Sequence, residues 1–277
     1  MKHLKSTSSD LRRLFERAIS IREIAEPLVS FDADCDAASI RAVMEAHNFD
    51  VVGLRQDDLI IGYVRRENLG PDPVRDHICR FTESDLVAES DSLLTAFEAL
   101  RERNELFVTI LGKVGAIVTK GDLQKIPVRL WLFGIISLIE MQMLRLIRER
   151  FPDGAWKSLL PSARFEAAKK LFYERKRRNE EASTSDFADC LQICDKAQIL
   201  LRDSELLNAA NFPNSGTGKK FFSRLESLRN DLAHANDILK GRWPELAVIA
   251  EESEGLLMRL ETCHPKSNVN TVMDACS

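Results

Sequence analysis

The sequence predicts an α+β N-terminal region in which one unit is used twice, followed by an all-α helical bundle. Three observations lead there. From Ile21 to Leu123 a β-α-β-β-α order of patterns occurs twice, at a period of about 55 residues, the kind of self-similarity that marks a repeated supersecondary unit. From Pro127 onward apolar residues recur in steps of three and four, the spacing of amphipathic helices. Between the two regimes Lys125-Ile126-Pro127 breaks the pattern, and Pro127 suits the first turn of a new helix. The predicted boundaries are therefore an N-terminal helix and linker over 1–20, a repeated region over 21–125, a helical domain over 127–264 and a tail over 265–277.

Each element has a local reason. In 1–20, Asp10 caps a short helix carrying Leu11, Leu14 and Phe15. The first copy opens at Ile21–Ile24, runs extended at Leu28–Phe31 and enters a helix near Asp36–His47. Val51–Leu54 and Leu59–Val64 are β-branched runs joined through Arg55-Gln56-Asp57-Asp58, a hairpin signal, and a helix follows near Arg65–Leu69. The second copy repeats this with Val74–Ile78, a helix over Ser92–Arg103, strands at Leu106–Leu111 and Gly115–Val118, and a corner at Thr119–Leu123. A small antiparallel sheet with helices on one face would bury each copy, and sheet-to-sheet packing of the two copies the remainder.

The second region starts with a helix from Pro127 to about Arg150 that is apolar nearly all round, so it must be covered on most sides. Phe151-Pro152-Asp153-Gly154 stops it. Pro161–Asn179 is a further helix ending in Arg175-Lys176-Arg177-Arg178, either a basic edge for a nucleic-acid backbone or simple cation placement at a helix C-terminus. Ser185-Asp186 caps a helix through Leu200, with a shorter one to Ala210. Asn211 to Lys220 reads as a loop. Its Gly216-Thr217-Gly218-Lys219-Lys220 is no phosphate loop: Pro213 stands where the first glycine is required, and Lys220 replaces the Ser/Thr. Helices over Lys219–Leu239 and Glu245–Cys263 complete the chain, with Gly241 to Pro244 between them.

Composition sets bounds on function. The chain has 277 residues, 44% of them hydrophobic and 30% charged, at a net charge of −4, ordinary for a globular protein of about two domains. That charge argues against a general nucleic-acid coat, although the acidic excess lies in the first 125 residues and the second half is slightly basic. Six cysteines without a Cys-x-x-Cys pair fit a reduced cytoplasmic chain, and Cys190 with Cys194 leave a metal two ligands short. The run Leu130–Ile139 is too short to span a bilayer and the N-terminus lacks a signal-peptide core. The expectation is a cytoplasmic protein with no membrane partner.

Two stretches carry candidate chemistry. At the corner Ala116-Ile117-Val118-Thr119-Lys120-Gly121-Asp122, a carboxylate at a helix start can accept both hydroxyls of a ribose diol, and a hydroxyl beside a cation can hold phosphate. The first copy's Gly62-Tyr63-Val64-Arg65-Arg66-Glu67-Asn68 has Arg65 in place of the hydroxyl and Asn68 in place of the carboxylate. The alternative is that both corners are ordinary helix caps. This order of elements and these corners resemble a tandem pair of cystathionine-β-synthase-type (CBS) domains over about residues 20–125. The resemblance implies an adenine-nucleotide site in the second copy, with Asp122 on ribose and Thr119 and Lys120 on phosphate, and in the first copy a site using Arg65 and Asn68, or none.

The other stretch is Arg229-Asn230-Asp231-Leu232-Ala233-His234. Phe221, Phe222, Leu225, Leu228 and Leu232 make the buried stripe of its helix, leaving Glu226, Asn230 and His234 in a column. An imidazole exchanges protons near neutral pH and a guanidinium offers forked donors to a phosphate gaining charge, which suits phosphodiester cleavage without a metal. On one helix Arg229 and His234 point roughly 140° apart, so a closed site needs two such helices about a two-fold axis. Arg229, Asn230 and His234 resemble the Arg-x4-His motif of the HEPN superfamily. That implies a helical bundle, a homodimer with a composite site, and metal-independent cleavage of an RNA substrate with no required cofactor. The expected whole is a ribonuclease gated by an adenine nucleotide; the alternative is a non-catalytic nucleotide sensor whose helices mediate dimerisation or antitoxin-like partner binding.

Overall fold

The structure, a computed structural model, describes residues 18–178, 186–234, 236–239 and 243–267. The expected helix at Asp10 and most of the tail lie outside them. The chain divides into two compact units, with the border in the first turn of the long helix that follows the repeat.

Among the described residues the N-terminal unit holds seven strands in two sheets. In the first copy β1 (Glu26–Pro27) and β2 (Ser30–Asp32) precede α1 (Ala37–His47), β3 (Val51–Gln56) and β4 (Leu59–Arg65). The second copy has β5 (Leu86–Ala88), α2 (Leu93–Ala99), β6 (Glu105–Ile110) and β7 (Lys113–Thr119). The sheets are mixed where the sequence suggested antiparallel. β2 runs parallel to β3 and β5 parallel to β6, while each hairpin is antiparallel. The reason is the crossover: a helix between two strands returns the chain to the same edge, so the second strand runs in the same direction as the first.

Each copy also completes the other's sheet. Glu26-Pro27 pairs antiparallel with Ile117-Ala116 of β7; Pro27 lacks an N–H and so fits this edge position. Cys79, in the segment leading to the second copy, exchanges both backbone hydrogen bonds with Tyr63 of β4, at 3.0 and 2.8 Å. Gly62 lets that segment approach, since a Cβ there would lie 2.5 Å from the Cys79 carbonyl oxygen. Between the copies Tyr63, Phe81 and Phe107 pack ring on ring, with Tyr63 and Phe107 centroids 4.5 Å apart.

Caps set the helix starts. Asp36 Oδ2 accepts from the Ser39 N–H at 2.9 Å, a bond that holds its carboxyl below the usual carboxylate range. Ser92 accepts from Thr95 N–H at 3.2 Å and starts α2, which ends at Ala99 rather than Arg103. The helices expected to close each copy shrink to 3-10 turns, Arg66–Asn68 and Lys120–Gln124.

The second unit is helical. α3 (Ile126–Arg150), α4 (Ser162–Arg178), α5 (Ile193–Arg202), α6 (Ser204–Ala209), α7 (Ser215–Ala233) and α8 (Trp243–Thr262) follow in order. By length and composition α3 is apolar enough to cross a membrane, a test the run Leu130–Ile139 alone fails, but 61% of its most apolar window is buried inside the protein. Ile139, Met143, Leu146 and Ile147 of α3 are fully buried, as are Leu225 of α7 and Leu256, Leu257 and Leu260 of α8. Cations of α3 finish the packing. Arg145 donates to the Leu260 and Cys263 carbonyls at 2.7 and 3.0 Å, capping the end of α8, and Arg150 pairs with Asp203 and Glu205 at 3.1 and 2.9 Å.

Four boundaries differ from expectation, the first being the helix expected to start at Asp186, which is a 3-10 turn over Phe187–Cys190 before α5 starts at Ile193. Ser215 to Lys220 is helix rather than loop, because Asn214 Oδ1 accepts from the Thr217 N–H at 2.9 Å and starts α7 there. Gly218 then lies against Leu201, where a Cβ would come within 2.2 Å of Cδ2, so the glycine that suggested a loop is a close helix contact. At its other end α7 stops at Ala233, with His234 as its C-cap, instead of continuing to Leu239. Trp243 and Pro244 open α8 rather than closing the preceding helix, Pro244 lying in the first turn, where its missing N–H costs nothing.

Candidate nucleotide cleft and the Arg229–His234 surface

A cleft of about 1040 Å³ opens within the N-terminal unit, just above the roughly 300–1,000 Å³ usual for ligand sites. Its apolar wall comes from Pro27, Leu28, Val29 and Ile117, the edge where β1 meets β7, together with Phe49 and Val51. The polar wall comes from both copies: Arg65, Arg66 and Glu67 from the first corner, and Thr119, Lys120, Gly121 and Asp122 from the second. The chain thus brings Arg65, Thr119, Lys120 and Asp122 into one site instead of two. Asn68 is exposed and does not line this cleft. The physical difference is the cap: with Arg65 where Thr119 stands in the other copy, the first corner has no side-chain cap hydrogen bond.

Thr119 and Asp122 form a closed capping box. Asp122 Oδ2 accepts from the Thr119 N–H at 2.7 Å and from its hydroxyl at 2.9 Å, while Oδ1 accepts from Lys125 Nζ at 2.9 Å. Lys125 also donates to the Ile24 carbonyl at 2.6 Å and pairs with Glu26. Burial opposes the Lys125 charge, but its hydrogen bonds to Glu26 and Asp122 outweigh it and hold the ammonium above the usual lysine range.

The cations divide by partner. Arg65 pairs with Glu105, only 9% exposed, and its guanidinium carbon lies 5.5 Å from the Tyr63 ring centre. Burial works against that guanidinium too, and Glu105 more than offsets it. Arg66 Nη2 bonds Asp50 at 2.5 Å, and Arg41 lies 3.7 Å from Glu45. Lys120 differs: its Nζ donates to the Asn104 amide oxygen at 3.3 Å, a neutral partner. Six acidic side chains line the cleft against four basic ones. Arg41, Arg66, Asn104, Glu105 and Lys125 were not singled out from sequence; of these Lys125, three residues after Asp122, and Arg41, four residues before Glu45, had a helical spacing that pointed to a partner.

At the end of α7, Arg229, Asn230 and His234 are all solvent-exposed. Arg229 Nη1 donates to Asn230 Oδ1 at 3.2 Å, and the His234 N–H donates to the Asn230 carbonyl at 3.0 Å. None of the three lines the nearby cavity of about 200 Å³, which Arg224, Leu228, Asp231 and Ile249 help to form between α7 and α8. In one chain they make a surface patch rather than a cleft. Of the basic run ending α4, Arg175 donates to the Asp189 carbonyl at 3.1 Å, a structural contact, and Lys176, Arg177 and Arg178 are exposed. Cys190 and Cys194 each lie beside an arginine, and burial pushes both thiols up. Among the described residues no three His, Cys, Asp or Glu side chains gather as a metal site.

No protein-family model matches the sequence, and no curated protein matches it. Solved CBS-domain structures match about 40% of the chain at its N-terminal end. The CBS domain of a bacterial CNNM/CorC family Mg2+ transporter, solved in complex with ATP, is 16% identical, covers 42% of this chain with 91% of its own, and has a TM-score of 0.34. The CBS-pair protein CBSX2 from Arabidopsis thaliana is 16% identical over 38% of this chain and 90% of its own, with a TM-score of 0.34. CBSX2 in complex with AMP is 17% identical over 38% and 92%, also at 0.34.

Proposed function

We propose that the N-terminal unit is a receptor for an adenine nucleotide and that the helical unit carries the response. The observation that carries this reading is that Thr119, Lys120 and Asp122 line one cleft together with the apolar edge Pro27–Val29. The edge suits a base, the Asp122 carboxylate a ribose diol, and Lys120 a phosphate. The choice of adenine follows from the resemblance of the corners to CBS domains. Because Arg65, Arg66 and Arg41 are already paired with carboxylates and acids outnumber bases, the cleft favours a monophosphate over a triphosphate. Each further phosphate would add charge without a free cation to meet it. A thermal-shift series with AMP, ADP, ATP and adenosine tests this, since a ligand that binds only the folded state raises Tm by mass action. The reading requires AMP to give the largest shift, and Lys120→Ala to remove most of it.

A second reading concerns the response. The hydrogen-bonded pair Arg229–Asn230, exposed beside His234, favours a ribonuclease whose site is completed by a second copy of the chain. His234 exchanges the proton of a ribose 2′-hydroxyl or of the leaving oxygen, Arg229 holds the charged phosphate, and Asn230 fixes the guanidinium. In this reading the nucleotide gates the enzyme by preferring one arrangement of the two copies. Incubation with RNA in excess chelator, beside His234→Ala, tests it; cleavage unaffected by the substitution removes His234 from the chemistry. Without catalysis the helical unit serves as a dimerisation or partner-binding element.

A further inference from the structure

We infer that the solvent-facing side of α4 binds single-stranded RNA, with Lys169, Lys170, Lys176 and Arg177 on its phosphates and Tyr173 under one of its bases. Residues 169–178 hold six cations and one acid in a chain whose net charge is −4, so the basic character is local. Two of these residues are spent on the fold. Phe172 packs on Phe187 with ring centres 5.6 Å apart, and Arg175 donates to the Asp189 carbonyl. The outward cations are not: Lys170, Lys176 and Arg177 are exposed and, among the described residues, make no hydrogen bond or ion pair. Lys169 lies 3.6 Å from Glu166, a contact between two exposed side chains that holds it weakly.

The arrangement goes beyond what a helix end requires. The helix dipole favours cations in the last turn and fades within it, which accounts for Lys176, Arg177 and Arg178 but not for Lys169 and Lys170 two turns earlier. An ordinary solvated face interleaves acids at steps of three and four. On this one Glu166 is the exposed acid, and Glu174 is half-buried at the flank. Tyr173 stands three residues from Lys170 and Lys176 and four from Lys169 and Arg177, which at 100° per residue puts it in the middle of the four cations. It is 58% exposed.

That pattern identifies the occupant. Cations tracking a backbone on either side of an aromatic ring suit a flexible polyanion whose bases are free to stack, and the two cation pairs lie about 10 Å apart along the helix, one for each side of a stacked base. A duplex keeps the faces of its bases covered. A lipid surface takes up a helix through an apolar face that inserts, and the apolar face of α4 is already used, with Phe165 5.3 Å from the Phe187 ring and Ala168 buried. The choice of RNA over DNA rests on the ribonuclease reading; the surface itself does not.

The test is fluorescence anisotropy of a labelled 20-nucleotide oligouridylate with the full chain carrying His234→Ala, so that cleavage does not enter, while cleavage by the native chain is scored separately. Four phosphate contacts on a single strand predict a salt slope of about −2.8, a loss of affinity of roughly fifty-fold between 50 and 200 mM salt. Lys170→Ala with Arg177→Ala is expected to make that slope shallower by about 1.4. Tyr173→Ala is expected to raise Kd about fivefold or more at unchanged circular dichroism, and Tyr173→Phe to keep the parent affinity. No binding at 50 mM salt, or Kd and slope unchanged in these variants, overturns the inference. A duplex of the same length or phosphatidylserine vesicles bound as tightly as the oligouridylate overturns the single strand, and an oligothymidylate bound more tightly overturns the choice of RNA. RNA held through this face but left intact by the native chain removes the ribonuclease reading alone; RNA cleaved with an affinity indifferent to Tyr173 and Lys170 removes this inference alone.

Discussion

The Arg65 guanidinium and the Glu105 carboxylate form an ion pair joining the end of β4 in the first copy to the start of β6 in the second. Glu105 is buried, so the pair fixes one copy against the other and removes Arg65 from the cations available to a ligand. Replacing Glu105 by Gln is expected to free the guanidinium and shift preference from AMP toward ADP and ATP, with severalfold tighter ATP binding by calorimetry. Arg65→Ala leaves a buried carboxylate without its partner. Because the Arg65 side chain is 31% exposed, the expected loss is about 2 kcal/mol, below the 3–5 typical of a fully buried pair; denaturant unfolding measures it.

Lys125 gives the cleft an alkaline limit. Its pKa is raised in the folded chain by Glu26 and Asp122, against the opposing effect of burial. A raised lysine contributes stability that is complete below the unfolded value of about 10.4 and is lost as pH rises through the folded value. Unfolding free energy is therefore expected to fall above pH ~10 more steeply in the native chain than in Lys125→Gln. Parallel curves for the two proteins would show that the contact has no energetic weight.

Leu111 sits at φ 50 in the β6–β7 hairpin and is 93% exposed. A branched side chain in the left-handed region is strained, and Asn is better tolerated there. Leu111→Asn is expected to stabilise the protein by about 1 kcal/mol, read as a higher denaturant midpoint at unchanged m.

Gly218 makes the opposite case. A methyl group there collides with Leu201, itself 5% exposed in the core between α5 and α7. Gly218→Ala is expected to cost about 1–3 kcal/mol despite alanine's better helix propensity. A gain in stability would mean that the two helices separate freely.

These positions also show what a sequence reading reaches. The repeat was legible because Val51–Leu54 and Leu59–Val64, and their counterparts in the second copy, carry β-branched runs around short turns. Thr119 and Asp122 were legible because a capping box has a fixed spacing. The long helix α3 was visible as an unbroken apolar run after Pro127. What escaped were relations set by tertiary geometry. Nothing local to Glu105 indicates that it meets Arg65, forty residues away. The exchange of Pro27 and Cys79 between sheets depends on how the copies pack. Asn214 to Gly218 looked like loop because glycine was read for its conformational freedom, when Gly218 serves close approach. The end of α7 at His234 was hidden because the apolar periodicity runs on through Leu232 and revives at Ile238.

The most direct test of the account is isothermal titration of the full chain with AMP, repeated on Lys120→Ala. Lys120 is half-buried and its Nζ donates to the neutral Asn104 amide oxygen, so its removal leaves no buried carboxylate without its partner and folding is expected to stay intact. The account predicts one AMP per chain and an affinity about tenfold weaker in the variant, equivalent to ~1.4 kcal/mol. Absence of AMP binding, or equal affinity in the two proteins, would contradict it.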